Sequence, residues 1–162
     1  MEDIAEAAGV SRPALYQYFR NKTEIFRAGS EAAQSTAIDA AEAAATLGLS
    51  PADRLAAMLI AYKGPSWRII SATPHGEELL GLNAALAEDI TEAALARSAQ
   101  VFTDALAAFA APGWDLANSA RLLIAAAWSS AHQAKSETAF EADMRALARI
   151  WAAAVSLPRD DQ

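Results

Sequence analysis

The sequence predicts an all-α protein that opens with a helix-turn-helix, and three observations carry that expectation. Alanine supplies more than a quarter of the 162 residues while Gly and Pro number only seven and six, a composition that favours helix over sheet. Apolar side chains recur at helical spacing through most of the chain. Capping residues and Gly or Pro breakers punctuate those periodic stretches, so starts and stops can be placed.

The elements follow in order. Glu2 to Phe19 reads as helix, sharp turn, helix. Gly9 stands where a helix needs a left-handed residue after its last turn, Ser11 offers a hydroxyl cap, and Pro13 falls in a first turn where its missing N–H costs nothing. Ile4, Ala8, Val10, Leu15 and Phe19 are the apolar positions that let the two short helices cross, with Val10 expected to plug the corner. Asn21, followed three residues later by Glu24, is a capping-box pattern that opens a long Ala-rich helix to about Ala45. Gly48 and Ser50-Pro51 break and restart the chain, and Leu55, Met58, Leu59 and Tyr62 then fall at i, i+3, i+4, i+7.

Gly64-Pro65 and Pro74-His75-Gly76 bracket a short segment, Ser66 to Ala72, expected to form one or two helical turns. From Glu77 to about Ala110 only Gly81 interrupts the pattern of Leu79, Leu82, Leu86, Ile90 and beyond, which predicts one element roughly 50 Å long. Pro112-Gly113 ends it, Asp115 caps a helix to about Lys135, and Thr138 with Glu141 boxes the last, which stops before Pro158. The expectation is eight helices with no internal repeat and no flexible linker.

Bulk properties narrow the function. A chain that is 54% hydrophobic and 20% charged is long enough and apolar enough for a packed core. With no cysteine there is no disulfide, thiolate nucleophile or Cys-based zinc site, and a cytoplasmic setting is expected. Met1-Glu2-Asp3-Ile4 shows no signal peptide, and the longest strongly apolar run, Leu122 to Trp128, is far short of the roughly 20 residues that cross a bilayer. The net charge of −7 is uneven: residues 1–27 balance Arg12, Arg20, Lys22 and Arg27 against Glu2, Asp3, Glu6 and Glu24, so the excess acid lies in the remainder. Only the N-terminal end suits a phosphate backbone.

Asp3-Ile4-Ala5, Ala8-Gly9-Val10-Ser11, Leu15-Tyr16-x-Tyr18-Phe19 and Lys22-x-x-Ile25-Phe26 together resemble the signature of the TetR family of transcriptional regulators. The resemblance implies a helix-turn-helix DNA-binding domain over residues 1–27 and a helical effector-binding and dimerisation domain over 28–162. It makes Arg12, Pro13, Ala14, Tyr16 and Tyr18 the face of a recognition helix in the major groove, with Lys22 on phosphate. The chemistry agrees: Arg12 can pair with guanine O6 and N7, Pro13 and Ala14 can touch a thymine methyl, and Tyr hydroxyls can reach phosphate oxygens. The family has one more helix before the position of Met1, which this sequence lacks; without that cover Ile4, Ala8, Leu15 and Phe19 are expected to lie partly bare.

The same resemblance implies a homodimer in which the last two long helices pair with their mates, and Leu123, Ala127, Ser130, Met144, Leu147 and Trp151 lie on the two stripes expected to meet there. It also implies an effector pocket among the middle helices, where Met58, Tyr62, Trp67, Phe102, Leu106, Phe109 and Trp128 are the bulky residues. The expected partners are an operator in double-stranded DNA, a small apolar or aromatic effector, and a second copy of the chain. No cofactor and no metal are expected: at a helix start the macrodipole accounts for Glu77 and Glu78, capping or pocket polarity accounts for His75, and His132 is expected to be a surface or interface residue. No zinc-protease, phosphate-loop or Gly-x-Ser-x-Gly motif is present, so an enzyme is not expected. Two functions fit: a repressor released by its ligand, or a ligand-sensing dimer that has lost operator binding.

Overall fold

The computed structural model describes residues 1–73 and 75–158, apart from the side chains of residues 77, 79, 80, 83 and 84. These described residues form eight helices and no strand: α1 (Glu2–Ala7), α2 (Arg12–Tyr18), α3 (Lys22–Ala45), α4 (Pro51–Ala72), α5 (Gly76–Leu86), α6 (Glu88–Ala107), α7 (Leu116–Gln133) and α8 (Glu137–Val155). The number matches the sequence expectation, but the partition does not.

Three boundaries differ. The helix expected to stop at Gly64-Pro65 runs straight through Pro65 to Ala72. Its second half is held against α8 by stacking of Trp67 on Phe140, ring centroids 5.2 Å apart, and by the Arg68–Glu137 ion pair at 2.7 Å. Those contacts outweigh the one backbone hydrogen bond the proline forfeits. The long element expected from Glu77 onward is instead two helices, divided at Ala87 rather than at Gly81. Ala87 leaves helical geometry (φ −142°, ψ 32°), and the carbonyl of Leu86 accepts a hydrogen bond from Arg27 of α3 at 2.6 Å. The last helix is capped by Ser136, whose Oγ accepts from the Ala139 N–H, two residues before the expected Thr138. The expected breaker Pro74, and the side chain of Leu79 from the expected apolar pattern, lie outside the described residues.

Helix α4 is the centre of the body, with α3 and α8 on its sides, α7 across from it, and α6 closing the ring between α3 and α7. One continuous apolar core joins them, and Ile38, Leu59, Phe102, Leu123, Phe140 and Met144 are among its fully buried large members. Burying a side chain of this size stabilises the fold by about 1.5–3 kcal/mol, so this core is where the fold is decided. The Trp114 indole donates to the Leu157 carbonyl at 2.9 Å, which ties the α6–α7 connection to the end of α8. At the α4–α5 turn the buried Gly76 lies against the Ile70 carbonyl, where any Cβ would overlap it. The expected division at residues 27 and 28 falls inside α3, so the first helices and the body share one rod. Among the described residues no helix is long and apolar enough to cross a membrane.

Candidate nucleic-acid interface

The N-terminal element is assembled by local hydrogen bonds. Helix α1 ends in a paired closure: the Gly9 N–H donates to the Glu6 carbonyl and the Val10 N–H to the Ala5 carbonyl, both at 3.0 Å. Gly9 takes φ +65°, the left-handed value this closure needs. Ser11 Oγ accepts from the Ala14 N–H at 3.3 Å and starts α2, with Pro13 in its first turn. Asn21 Oδ1 accepts from the Glu24 N–H at 2.9 Å, while the Glu24 carboxylate reaches back to the Arg20 N–H at 2.7 Å. That reciprocal pair fixes the angle at which α3 leaves α2.

Side-chain placement follows from a helical advance of about 100° per residue. Leu15 is the buried residue of α2. On the opposite side Arg12, Pro13, Tyr16 and Gln17 form one exposed face. The Arg12 guanidinium lies over the Tyr16 ring, 5.7 Å from its centroid, and its hydrogen bond to Tyr16 raises its already high pKa, so it stays charged. Tyr18 is 80% exposed but projects from the flank beyond Leu15, away from the Arg12 face, and Ala14 is half-buried on that same flank. Lys22 is exposed at the start of α3. The face therefore gathers Arg12, Pro13 and Tyr16 and sets Ala14, Tyr18 and Lys22 beside it. Gln17 was not among the expected residues; its place four after Pro13 was the signal, and its amide can bond adenine N6 and N7. From Arg12 to Lys22 the chain carries three cations and no acid.

The first 28 residues match a family model described as bacterial regulatory proteins, tetR family. Over this segment the chain is similar to the TetR family. It is the segment of a DNA-binding transcriptional regulator, and the match ends within the first turns of α3. No curated protein and no solved structure matches the chain.

The apolar side of this TetR-type helix-turn-helix is not uniformly bare. Leu15 is buried despite the expectation, Ile4 and Phe19 are half-buried, and Ala8 is exposed. Val10 is 45% exposed, so it does not plug the corner; the hydrogen-bonded turn itself makes the corner. Behind the motif, Ile4, Lys22, Thr23, Ile25, Phe26, Leu82 and Leu86 line an apolar groove of about 360 Å³ between α1, α3 and α5. Beside it Arg27 of α3 makes a two-pronged ion pair with Asp89, at 2.8 and 2.7 Å, in addition to its bond to the Leu86 carbonyl. The guanidinium holds the Asp89 carboxyl below the usual carboxylate range. Further along, Arg97 bonds Asp39 at 2.5 Å and Gln34 bonds Thr91 at 3.5 Å. Polar bonds thus join α3 to the α5–α6 segment along much of its length.

The expected pocket residues are split between core and surface. Met58, Phe102 and Leu106 are fully buried in the packed core with Tyr62, whose hydroxyl donates to Ser98 Oγ at 3.0 Å. Trp67 and Phe109 are half-buried at the core edge. Trp128 is 47% exposed and stacks on His132, ring centroids 3.6 Å apart, so it faces outward from α7 rather than into a pocket. The expected dimer residues need a similar correction. Leu123, Ala127 and Met144 are fully buried within the chain, because the stripe they mark covers the α4 side of α7 and α8. Ser130, Leu147 and Trp151 are half-buried, Ser130 donating to Asp143 at 2.8 Å and Trp151 to the Ser119 carbonyl at 3.1 Å. The outward faces of α7 and α8 instead show Leu122, Trp128 and Ile150. His75 and Glu78 pair at 3.2 Å on the surface, the side chain of Glu77 lies outside the described residues, and no group of three metal-ligating side chains is gathered among the described residues.

Proposed function

We propose that this chain is a ligand-responsive repressor that binds its operator as a homodimer and leaves it when a small, largely apolar molecule occupies the α4–α8 body. The exposed face of Arg12, Pro13, Tyr16 and Gln17 is the observation that carries this reading, because it presents base-reading groups on a helix flanked by cations and free of acids. Arg12 and Gln17 read bases, Pro13 and Ala14 meet methyl groups, and Tyr16, Tyr18 and Lys22 hold phosphates. Residues 1–27 act as the reading unit and 28–162 as the sensing and dimerising unit, joined through α3.

Dimerisation is supported by the exposed apolar residues Leu122, Trp128 and Ile150 on the two C-terminal helices. Two recognition helices are needed to occupy half-sites about 34–36 Å apart. Titration of the protein against its own promoter region at two salt concentrations tests the reading. The expected result is tight binding to one pseudo-palindromic site that weakens steeply with salt. Arg12→Ala should lower discrimination by about 1–3 kcal/mol at one base pair, whereas Lys22→Ala should weaken all sequences alike. Binding no tighter than to unrelated DNA would sink the operator reading.

A further inference from the structure

Among the described residues Lys63 is the one charged residue with a buried side chain, 9% exposed in the middle of α4. Its neighbours give it no countercharge. The ammonium sits 4.1 Å from the centroid of the Tyr62 ring, and among the described residues no carboxylate lies within ion-pair distance of it. The carboxylates by which α8 meets α4 and α7 are already engaged, Glu137 by Arg68 and Asp143 by Ser130. A lone ring face compensates only part of what an ammonium loses on leaving water.

The surroundings resemble a receptor for one end of a molecule. Tyr62, the residue before Lys63, lays its ring under the ammonium and donates its hydroxyl to Ser98 of α6 at 3.0 Å. One turn further along α4, Trp67 stacks nearly parallel on Phe140, at 16° between planes, and is only half-buried. A buried cation and a half-buried aromatic wall thus lie within about one turn of α4, at the edge of the core. Burial lowers the Lys63 ammonium to about 8, so near neutral pH most of it is still charged and unmatched.

We propose that Lys63 is the anchor for an acidic effector: a single carboxylate on an apolar or aromatic body, with the carboxylate on Lys63 and the body against Trp67 and Phe140. A doubly charged phosphate fits less well, because only one cation is buried there. The ligand completes an ion pair that the empty protein lacks, and movement of the partly exposed Trp67 opens its way in. This inference rests on the ligand-responsive reading above and names the class of ligand.

The test compares matched probes that differ only in charge: phenylbutyrate with phenylbutanol, and decanoate with decanol, titrated against the full chain at pH 7 and read by calorimetry and by the shift in Tm. The acids are expected to bind and raise the Tm, with their alcohols roughly ten- to a hundredfold weaker. Lys63→Met, which keeps the length and apolar stem, is expected to abolish that preference while leaving the alcohols unchanged. Alcohols binding as well as the acids, or Lys63→Met retaining the acid preference, would overturn the inference and leave the ligand-responsive reading standing. If neither these probes nor a wider set of neutral and acidic apolar compounds shifts the Tm, the ligand-responsive reading fails and takes this inference with it. The wild-type comparison decides the matter even if the variant folds poorly.

Discussion

The helix-turn-helix and the α3–α8 body are built on different terms. In the first 21 residues only Ala5 and Leu15 are buried, and the shape comes from hydrogen bonds between residues three to five apart. In the body, by contrast, the apolar core spans from α3 to α8, and the decisive contacts join residues tens of positions apart. A surface made to read another molecule keeps its side chains in water and relies on caps for its form. A body made to hold that surface relies on burial.

That contrast can be broken or sharpened by mutation, beginning with the largest effect. Phe140→Ala removes a fully buried ring stacked under Trp67 and should lower the free energy of unfolding by about 3–5 kcal/mol in denaturant titrations. Tyr18→Ala, on the exposed flank of α2, should stay within about 0.5 kcal/mol. Equal losses would mean that the two regions are not built differently.

Lys63→Met works in the opposite direction. The native lysine binds its proton less tightly than the unfolded chain does, so its charged form costs stability below pH 8, and that cost is relieved as pH rises from about 8 towards the ordinary lysine range. The substitution should therefore stabilise the protein by about 1–3 kcal/mol at pH 7, with the gain shrinking as alkali is added. A gain that is constant with pH would show that charge is not its source.

Gly9→Ala should cost about 1–2 kcal/mol, because the φ of +65° strains any residue with a Cβ. The loss should appear as faster amide exchange over residues 2–18 with little change in the α4 and α8 amides. The smallest effect on global unfolding belongs to Arg27→Ala, since the Arg27–Asp89 pair is largely exposed. Its signature should be local: faster exchange in the first turns of α3 and weaker DNA binding. Because Arg27 depresses the Asp89 carboxyl, the wild-type pair contributes fully above the ordinary aspartate range and is lost as pH falls through that depressed value. Acid should thus reproduce the Arg27→Ala exchange pattern before the core unfolds.

How much could be read from sequence divides along the same line. Gly9, Ser11, Asn21, Ser50 and Asp115 mark helix ends through bonds to residues within a turn, and each stands at the end it announced. The Ala87 break was missed because the group that receives the Leu86 carbonyl is Arg27, 59 residues earlier. Pro65 looked like a stop because its local cost is visible and its distant compensation, Trp67 on Phe140, is not. Periodicity located the stripes on α7 and α8 but could not say whether the chain itself or a partner covers them; Leu123 and Met144 are covered by α4 and its neighbours. On α2 the exposed face was named in part, while the exposure of Gln17 on it and the sideways setting of Tyr18 required the helix to be placed against Leu15.

The undivided length of α3 has a mechanical consequence. Its buried residues, Ala37, Ile38, Ala41 and Ala44, lie in its second half, while the reading helix hangs from its first turn. From Ala41 to Lys22 the rod extends about 28 Å, so a tilt of about 5° at the buried end carries the first turn through about 2.5 Å. The rise from one base pair to the next is about 3.4 Å. On the proposed reading, a change in the core too small to disturb its packing would be magnified into most of one step along the DNA, and the fit to successive grooves would be set far from the reading helix.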